Sequence, residues 1–306
     1  MTSGSSPGGA PAELPTVSIV VPVLNDPDRL ARCLAALDDQ TYPAHLVEVV
    51  VVDNGSRPDA LPSLPEDTRF RLLREPSAGS YAARNTGLAA ANGEVLAFTD
   101  SDCTPHVDWV EQGVRAIAAS SADAVGGAIL LTFPAGAEPR NGPELYEAVH
   151  GFPQQRYVER DGFAATANMF ARASAFERVG PFDADLQSGG DTQWGRRLTG
   201  SGLRLAYAPL ARVDHPARSS WRELTRKSRR VADGLASQQQ RTARGVVRAV
   251  VLELRAAARA WRPTRQPVSI SWDRWRGARY AAAVTWVRLI RVAALLRPPV
   301  PRRDHS

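Results

Sequence analysis

Cysteine is scarce in this sequence of 306 residues, which contains only Cys33 and Cys103 and no CxxC pair. This excludes a scaffold held by several disulfides and a zinc site of paired thiolates, and it fits a reducing compartment. The first residues also lack the basic and apolar regions of a secretory signal. They are rich in Ser, Gly and Pro, so we expect a flexible leader over residues 1–14.

Long apolar segments are missing as well. Between Arg274 and Arg297 the longest uncharged run is Tyr280 to Val287, whereas a membrane-spanning helix needs about 20 predominantly apolar residues. The sequence therefore predicts no transmembrane helix. We expect a cytoplasmic protein that could attach peripherally to the cytoplasmic face of a membrane.

No glycine-rich phosphate loop follows the first apolar run, which leads into LNDPDRL. A dinucleotide-dependent oxidoreductase should show GxGxxG at this point, because the glycines let the backbone approach the pyrophosphate. A nucleotidyltransferase would usually show a phosphate loop there too. The absence argues against both classes. A metal-dependent nucleotidyltransferase stays an alternative function because it could use paired acids and a metal.

Short β-branched runs alternate with helical stretches along the first two thirds of the chain. The predicted strands are Val17 to Val23, Val47 to Asp53, Glu94 to Thr99, Ala124 to Phe133 and Leu203 to Tyr207. The predicted helices between the first strands are Pro27 to Leu37 and Ser80 to Ala91. This alternation predicts an α/β fold, a mostly parallel Rossmann-like sheet flanked by helices.

Polar residues follow several predicted strands, where open sheets of this kind bind ligands. Asp100 and Asp102 suit Mg²⁺ or Mn²⁺, because a hard cation takes carboxylate oxygens and leaves positions free for phosphate. They could instead only end the strand and cap a helix opening at Pro105. Asp53 could accept hydrogen bonds from a base or ribose, or form an Asx-turn.

Four blocks in this order carry a family resemblance: VSIVVPVLND, VVVVDNGS, GSYAARNTGLAAANGEVLAFTDSD, and GGD before WGRRL. From about Val17 to Trp221 the chain resembles the family 2 glycosyltransferases of the GT-A fold. The resemblance implies an enzyme that moves a sugar from a nucleotide-diphosphate donor to an acceptor hydroxyl. It also implies a divalent metal, Mn²⁺ or Mg²⁺, and inversion at the anomeric carbon.

The resemblance places the donor base near the end of the first two strands. Pro22, Leu24 and Asn25 are expected around the base, and Asp53 on the base ring. Leu24 departs from the aromatic residue that is frequent in the family at this point. Which base binds is therefore left open.

The resemblance places the rest of the donor near the third strand. Arg84 and Asn85 lie in the block that borders the ribose and diphosphate. Asp100, followed by Ser101, is expected near the ribose, and Asp102 is expected on the metal. Together these residues would form the nucleotide-sugar site.

Asp191 matches the second acid of the family's common Glu-Asp pair, with Gly190 in place of the first, so the resemblance implies that Asp191 is the general base. A carboxylate can accept the acceptor hydroxyl's proton. Asp191 could alternatively be only the N-cap of the following helix. His215, in VDHP, matches a late histidine that can complete the metal site, and Asp214 is a competing candidate.

Charge is distributed unevenly along the chain. Residues 1–225 carry 19 basic and 28 acidic residues, whereas residues 226–306 carry 19 basic and 4 acidic ones. The second segment has amphipathic helical periodicity, with apolar Val246 to Trp261 beside arginines. It could lie on an anionic membrane, or pack on the catalytic domain or a second subunit. A nucleotide- or nucleic-acid-binding protein without catalysis is an alternative, but we expect no nucleic acid, because the rim of the sheet is acidic.

The predicted domains follow from these patterns. We expect a catalytic domain over residues 15–225, with a nucleotide-sugar half (15–122) and an acceptor half (123–225). A basic helical extension covers residues 226–306. If this extension attaches the enzyme to a membrane, a lipid-linked or cell-envelope glycan acceptor follows as a corollary.

Overall fold

The computed structural model describes residues 13–134, 138–238, 242–262 and 272–297. Apart from its last two residues, the predicted leader lies outside this part of the chain. The strands of the described residues are β1 (Val17–Val23), β2 (Val47–Asp53), β3 (Phe70–Arg74), β4 (Val95–Thr99), β5 (Thr104–Pro105), β6 (Ala124–Thr132), β7 (Asn168–Arg172) and β8 (Leu205–Pro216).

The helices flank this sheet and continue beyond it. They are α1 (Pro27–Asp38), α2 (Ser80–Ala90), α3 (Trp109–Ser120), α4 (Gly142–His150), α5 (Gln154–Arg156), α6 (Ala173–Val179), α7 (Gly190–Gly200), α8 (Trp221–Gln238), α9 (Ala243–Ala260) and α10 (Arg274–Leu296). The short α5 runs on into a π-helical turn at Tyr157–Asp161.

The strands form one sheet in the order β3-β2-β1-β4-β7-β6-β8-β5. β1 pairs in parallel with β2 and β4, β2 with β3, and β6 with β8, whereas β7 and β5 run antiparallel to their neighbours. All side chains of β1 and β4 are buried, because separate apolar clusters cover the two faces of the sheet. The predicted mostly parallel sheet flanked by helices is confirmed.

Some element boundaries differ from the sequence prediction. The helix expected to open at Pro105 begins instead at Trp109, because Thr104–Pro105 pairs with β8 as a short strand. The strand predicted at Leu203 to Tyr207 continues through a bulge to Pro216. β3 was not predicted, because two of the five residues of this short edge strand, Arg71 and Arg74, are charged.

A buried amide holds the centre of the sheet together. Asn168, at the start of β7, accepts a hydrogen bond from the Trp109 indole (2.8 Å) and donates to the carbonyls of Ala128 (2.8 Å) and Ala211 (2.9 Å). Ala211 belongs to the bulge where β8 leaves and rejoins its pairing with β6. A Cβ at Gly127 would collide with the Ala211 carbonyl and with the Asn168 amide. Asn168 therefore sets where the last part of β8 lies.

The C-terminal helices pack on the rest of the protein. Leu145 of α4 forms a buried cluster with Tyr280 and Val284 of α10. Leu224 of α8 forms another with Ala283 and Val287. Of the alternatives left open for the basic segment, packing on the catalytic part is therefore observed for α10.

Two further observations concern the C-terminal segment. The boundary predicted between residues 225 and 226 falls inside α8, which begins at Trp221. Among the residues that the structure describes, no helix combines the length and apolarity needed to cross a membrane.

We predict that Asn168→Ala lowers the free energy of unfolding by at least about 2 kcal/mol, because it leaves one indole N–H and two carbonyls buried without partners. Urea unfolding measures the change. Asn92→Ala is the matched control, since Asn92 is exposed and its loss should cost less than about 1 kcal/mol. Equal losses in the two variants would contradict the account of Asn168.

Candidate active site

The acids predicted at the rim of the sheet lie at the carboxyl ends of β2 and just beyond β4. Asp53 is buried, and its Oδ1 accepts a hydrogen bond from the backbone N–H of Ser56 (2.9 Å). Its Oδ2 lies 4.0 Å from Nε of Arg74. The observed bond goes to the N–H three residues on, not two as in the Asx-turn expected as one alternative, and it uses one of the two carboxylate oxygens.

The loop after β1 borders this carboxylate. Asn25 has a left-handed backbone (φ 54°), and its Oδ1 accepts a hydrogen bond from the N–H of Arg57 (2.9 Å). Pro22 is buried in β1, whereas Leu24 is half exposed. Asn25 thus ties two loops together, and Leu24 offers apolar surface at the rim.

Arg84 and Asn85 point in different directions from α2. Arg84 is buried, donates from Nη2 to Oδ1 of Asp100 and from Nη1 to the Ser80 carbonyl (3.2 Å), and leaves its Nε without a partner. The Asn85 side chain makes two hydrogen bonds to the backbone of Phe182. Its Nδ2 donates to the carbonyl (2.8 Å), and its Oδ1 accepts from the N–H (3.0 Å). Arg84 faces the rim, whereas Asn85 fastens α2 to the loop after α6.

Asp102 and His215 face each other at the end of β8. His215 is buried, and its Nδ1 bonds the carbonyl of Pro216 at 2.9 Å. A carbonyl cannot donate, so Nδ1 carries the proton, while Nε2 lies 3.7 Å from Oδ1 of Asp102. An imidazole lone pair facing a carboxylate needs a proton or a metal cation between them. The pair therefore fits a divalent metal, with room for further ligands from a substrate.

Two neighbouring residues are poor metal ligands in this arrangement. The Sγ of Cys103 lies within 4.8 Å of the ligand atoms of Asp102 and His215, but its thiol faces the Ala167 carbonyl at 3.8 Å, and Mn²⁺ and Mg²⁺ prefer oxygen and nitrogen to sulfur. Asp214, the competing candidate, bonds Nε2 of His106 at 3.2 Å instead.

Asp191 lines a cleft of about 330 Å³ together with Arg84 and Asp100. Its Oδ1 accepts hydrogen bonds from the Tyr81 hydroxyl (3.2 Å) and the Thr192 N–H (2.8 Å). Burial raises the pKa of Asp191, and these two hydrogen bonds oppose the rise. The N-cap alternative is wrong, since Gly189 is the N-cap of α7 and Asp191 lies in the first turn.

Comparison with known proteins identifies the family. The family model described as Glycosyl transferase family 2 matches residues 18–180. The chain belongs to glycosyl transferase family 2. The predicted family resemblance and the prediction of a glycosyltransferase are thereby confirmed.

Relatives with longer matches agree. The chain is 39% identical over 226 residues to glycosyltransferase AglE of Haloferax volcanii, a match that covers 72% of this chain and 73% of the relative. It is 32% identical over 220 residues to the pre-mycofactocin glycosyltransferase of Mycobacterium tuberculosis (strain H37Rv), which covers 68% of this chain and 44% of that protein. The chain thus spans less than half of the mycobacterial relative.

A solved structure supports the fold. The mannosyltransferase PcManGT from Pyrobaculum calidifontis, solved in complex with GDP-Man and Mn²⁺, superposes with a TM-score of 0.54 at 18% identity. The match covers 92% of this chain and 74% of that one. At this identity the likeness concerns the fold, and it confirms the GT-A type architecture.

A set of cations that lines the candidate site was not predicted from the sequence. Arg218, Lys227 and Arg230 line both the cleft beside Asp191 and a second pocket that contains Asp102. Lys227 and Arg230 were assigned to the basic extension. Their spacing of three residues puts them on one face of α8, a signal that could have indicated a shared site.

A buried carboxylate holds this cationic wall in place. Glu147 of α4 is fully buried and accepts hydrogen bonds from Arg218 Nη1 (2.9 Å) and Lys227 Nζ (3.1 Å). Burial alone would raise the pKa of Glu147, but the charges of Lys227 and Arg218 lower it below its usual value. Burial and the charge of Arg218 lower the pKa of Lys227 to about 8. The chain therefore keeps one buried anion between two cations.

We predict that Glu147→Gln lowers the free energy of unfolding by about 3 kcal/mol at neutral pH, because two partly buried cations lose the buried carboxylate that neutralises them. The pKa of Glu147 is lowered in the folded state, so its contribution is present above the unfolded pKa and is lost as the pH falls through the folded pKa. Urea unfolding at neutral and acidic pH measures both effects.

Asp59→Asn is the control for this experiment, because Asp59 pairs with Arg57 at the exposed surface. Its loss should change stability by less than about 1 kcal/mol. A Glu147→Gln protein as stable as this control would show that the buried pairing contributes nothing.

Proposed function

We propose that the protein is an inverting, metal-assisted glycosyltransferase that takes a nucleotide-diphosphate sugar as donor. The observation that carries the proposal is the shared site of three groups. Asp102 and His215 form a metal-type pair, Arg84 bonds Asp100 at the rim, and Asp191 lines the same cleft as Arg84 and Asp100. PcManGT, of the same fold, is described with GDP-Man and Mn²⁺, which supports a nucleotide sugar and a divalent metal here. The choice of metal remains between Mn²⁺ and Mg²⁺.

The proposed donor site follows the rim of the sheet. The base would lie against Leu24 and near the free oxygen of Asp53, and the ribose near Asp100 and Ser101. The metal, held by Asp102 and His215, would neutralise charge on the diphosphate. Asn85 would act indirectly, since its amide is bound to Phe182.

The proposed chemistry is a single displacement. The acceptor oxygen forms a bond to the anomeric carbon as the bond from that carbon to the diphosphate oxygen breaks. Asp191 takes the proton from the acceptor hydroxyl. Arg218 and Lys227 stabilise the negative charge that develops on the leaving diphosphate.

We predict that two variants separate binding from chemistry. Nucleoside diphosphates with Mn²⁺ should raise the melting temperature of the wild type, because they bind the folded state. Asp102→Asn should lose the Mn²⁺-dependent part of this shift. Asp191→Asn should keep the shift but release nucleoside diphosphate from the matching donor sugar about 10²–10⁴-fold more slowly.

Asp59→Asn is the control in both assays and should behave as the wild type. Undiminished turnover by Asp191→Asn would remove it as the base. A full Mn²⁺-dependent shift in Asp102→Asn would remove that residue from the metal site. If no nucleoside diphosphate raises the melting temperature of the wild type, the proposed donor class is wrong.

A second prediction concerns Tyr81, whose hydroxyl bonds Asp191. This bond favours the ionised carboxylate, so Tyr81→Phe should raise the pKa of Asp191 further. A base must be ionised, and the acidic limb of the kcat/KM profile should therefore move to higher pH. Tyr207→Phe, a control in another part of the fold, should leave the limb in place. An unmoved limb in Tyr81→Phe would contradict the proposed role of Asp191.

The proposal includes peripheral attachment to an anionic membrane through α9. Its inner face packs on α10 through Ala257. Its outer face exposes an apolar stripe at helical spacing: Val247, Val251, Leu254, Ala258 and Trp261. Exposed arginines, including Arg248, Arg255 and Arg259, flank the stripe. Apolar residues beside cations suit the surface of a bilayer with anionic headgroups.

We predict that the protein sediments with vesicles of phosphatidylcholine and phosphatidylglycerol at low salt, and much less with phosphatidylcholine alone. Replacing Arg248, Arg255 and Arg259 together by Gln should weaken binding about 100-fold, at about 1 kcal/mol per cation. Arg57→Gln, at an exposed site outside α9, is the control. Equal binding to both vesicle types would rule out this attachment, and concentration-dependent dimers would assign the stripe to a second copy.

A further inference from the structure

The cleft beside Asp191 extends beyond the residues that the proposed donor would use. Its far wall comes from α4 and α10, which contribute His150, Val287 and Arg291. None of these three lines the pocket that contains Asp102 and His215. This wall therefore lies outside the pocket of the proposed metal pair.

The cations that line the cleft beside Asp191 are incompletely neutralised. Glu253 is the carboxylate nearest to Arg291, at 3.8 Å, and it already bonds Arg288 at 2.8 Å. In the part of the chain that the structure describes, Arg230 has no carboxylate within ion-pair distance. A single Glu147 is shared by Arg218 and Lys227. Cations thus outnumber the acids that face them in this part of the cleft.

The same wall offers apolar and aromatic contacts. Tyr146 and Val287 line it beside His150. Burial, followed by the charges of Arg288 and Arg291, lowers the pKa of His150 to about 4, so this imidazole is neutral near pH 7 and bonds the Tyr280 hydroxyl at 2.8 Å. The excess positive charge therefore resides on the guanidinium groups, next to an uncharged surface.

We propose that the acceptor carries a phosphate group and that Arg291 binds it, with Arg230 as the second cation. The inference rests on the proposed function, since it assigns the other substrate of the same site. A phosphate offers several oxygens and up to two charges, and so can engage guanidinium groups on two helices, whereas a carboxylate is satisfied by one. The phosphate could belong to a polyprenyl phosphate or to a sugar phosphate.

The test measures binding of two matched pairs of probes by calorimetry. Farnesyl phosphate is compared with farnesol, and glucose 1-phosphate with glucose. The donor site is filled by adding, at saturating concentration, Mn²⁺ and the nucleoside diphosphate that raises the melting temperature of the wild type. The wild type should bind one phosphate at least about ten-fold more tightly than its alcohol. Which pair shows this preference identifies the source of the phosphate.

Variants of Arg291 assign the preference to this residue. Arg291→Gln should abolish it, and Arg291→Lys, which keeps the charge, should retain most of it. Arg115→Gln is the matched control and should keep the preference, because Arg115 pairs with Glu111 at the exposed surface of α3 and does not line the cleft. Equal affinity of the wild type for phosphates and alcohols, or a preference that survives in Arg291→Gln, overturns the inference. In either case, a rise in melting temperature on adding the nucleoside diphosphate with Mn²⁺ would still support the proposed donor class.

Discussion

The buried ion pairs of Glu147 are the interaction on which the cleft depends. A carboxylate without solvent needs its counterions close, and among the residues that the structure describes Arg218 and Lys227 reach it. Their pairing fixes α8 against α4, and α10 then packs on both helices. Arg218 and Lys227 are therefore held by the core of the protein. What composition suggests to be a basic tail forms, in α8 and α10, part of the wall of the cleft beside Asp191.

The sheet supplies the other side of the site. β1, β2 and β4 are parallel neighbours, so their carboxyl ends meet at one edge and bring Asp53 and Asp100 to the same rim. β8 reaches this rim only after its bulge, whose Ala211 carbonyl is held by Asn168. One buried amide thus controls how His215 approaches Asp102, although it touches neither.

Much of the fold and part of the site could be predicted from the sequence, for physical reasons. β1, β2 and β4 are short, mostly apolar runs buried on both faces of the sheet, a pattern typical of parallel strands. The edge strand β3 and the bulged β8 lack this pattern, because solvent exposure and Pro209 interrupt it. Asp102 and His215 were predicted together and lie together. The direction of Asn85 toward Phe182, and of Lys227 toward Glu147, depends on tertiary packing that no local pattern encodes.

The most direct test of the account is the position of the metal. Crystals grown with Mn²⁺ and a nucleoside diphosphate that shifts the melting temperature would locate the ion by its anomalous scattering. The account predicts a peak bonded to Oδ of Asp102 and Nε2 of His215, with the diphosphate between this ion and Arg218. A peak bound elsewhere, with His215 still 3.7 Å from Asp102 and no ion between them, would contradict it.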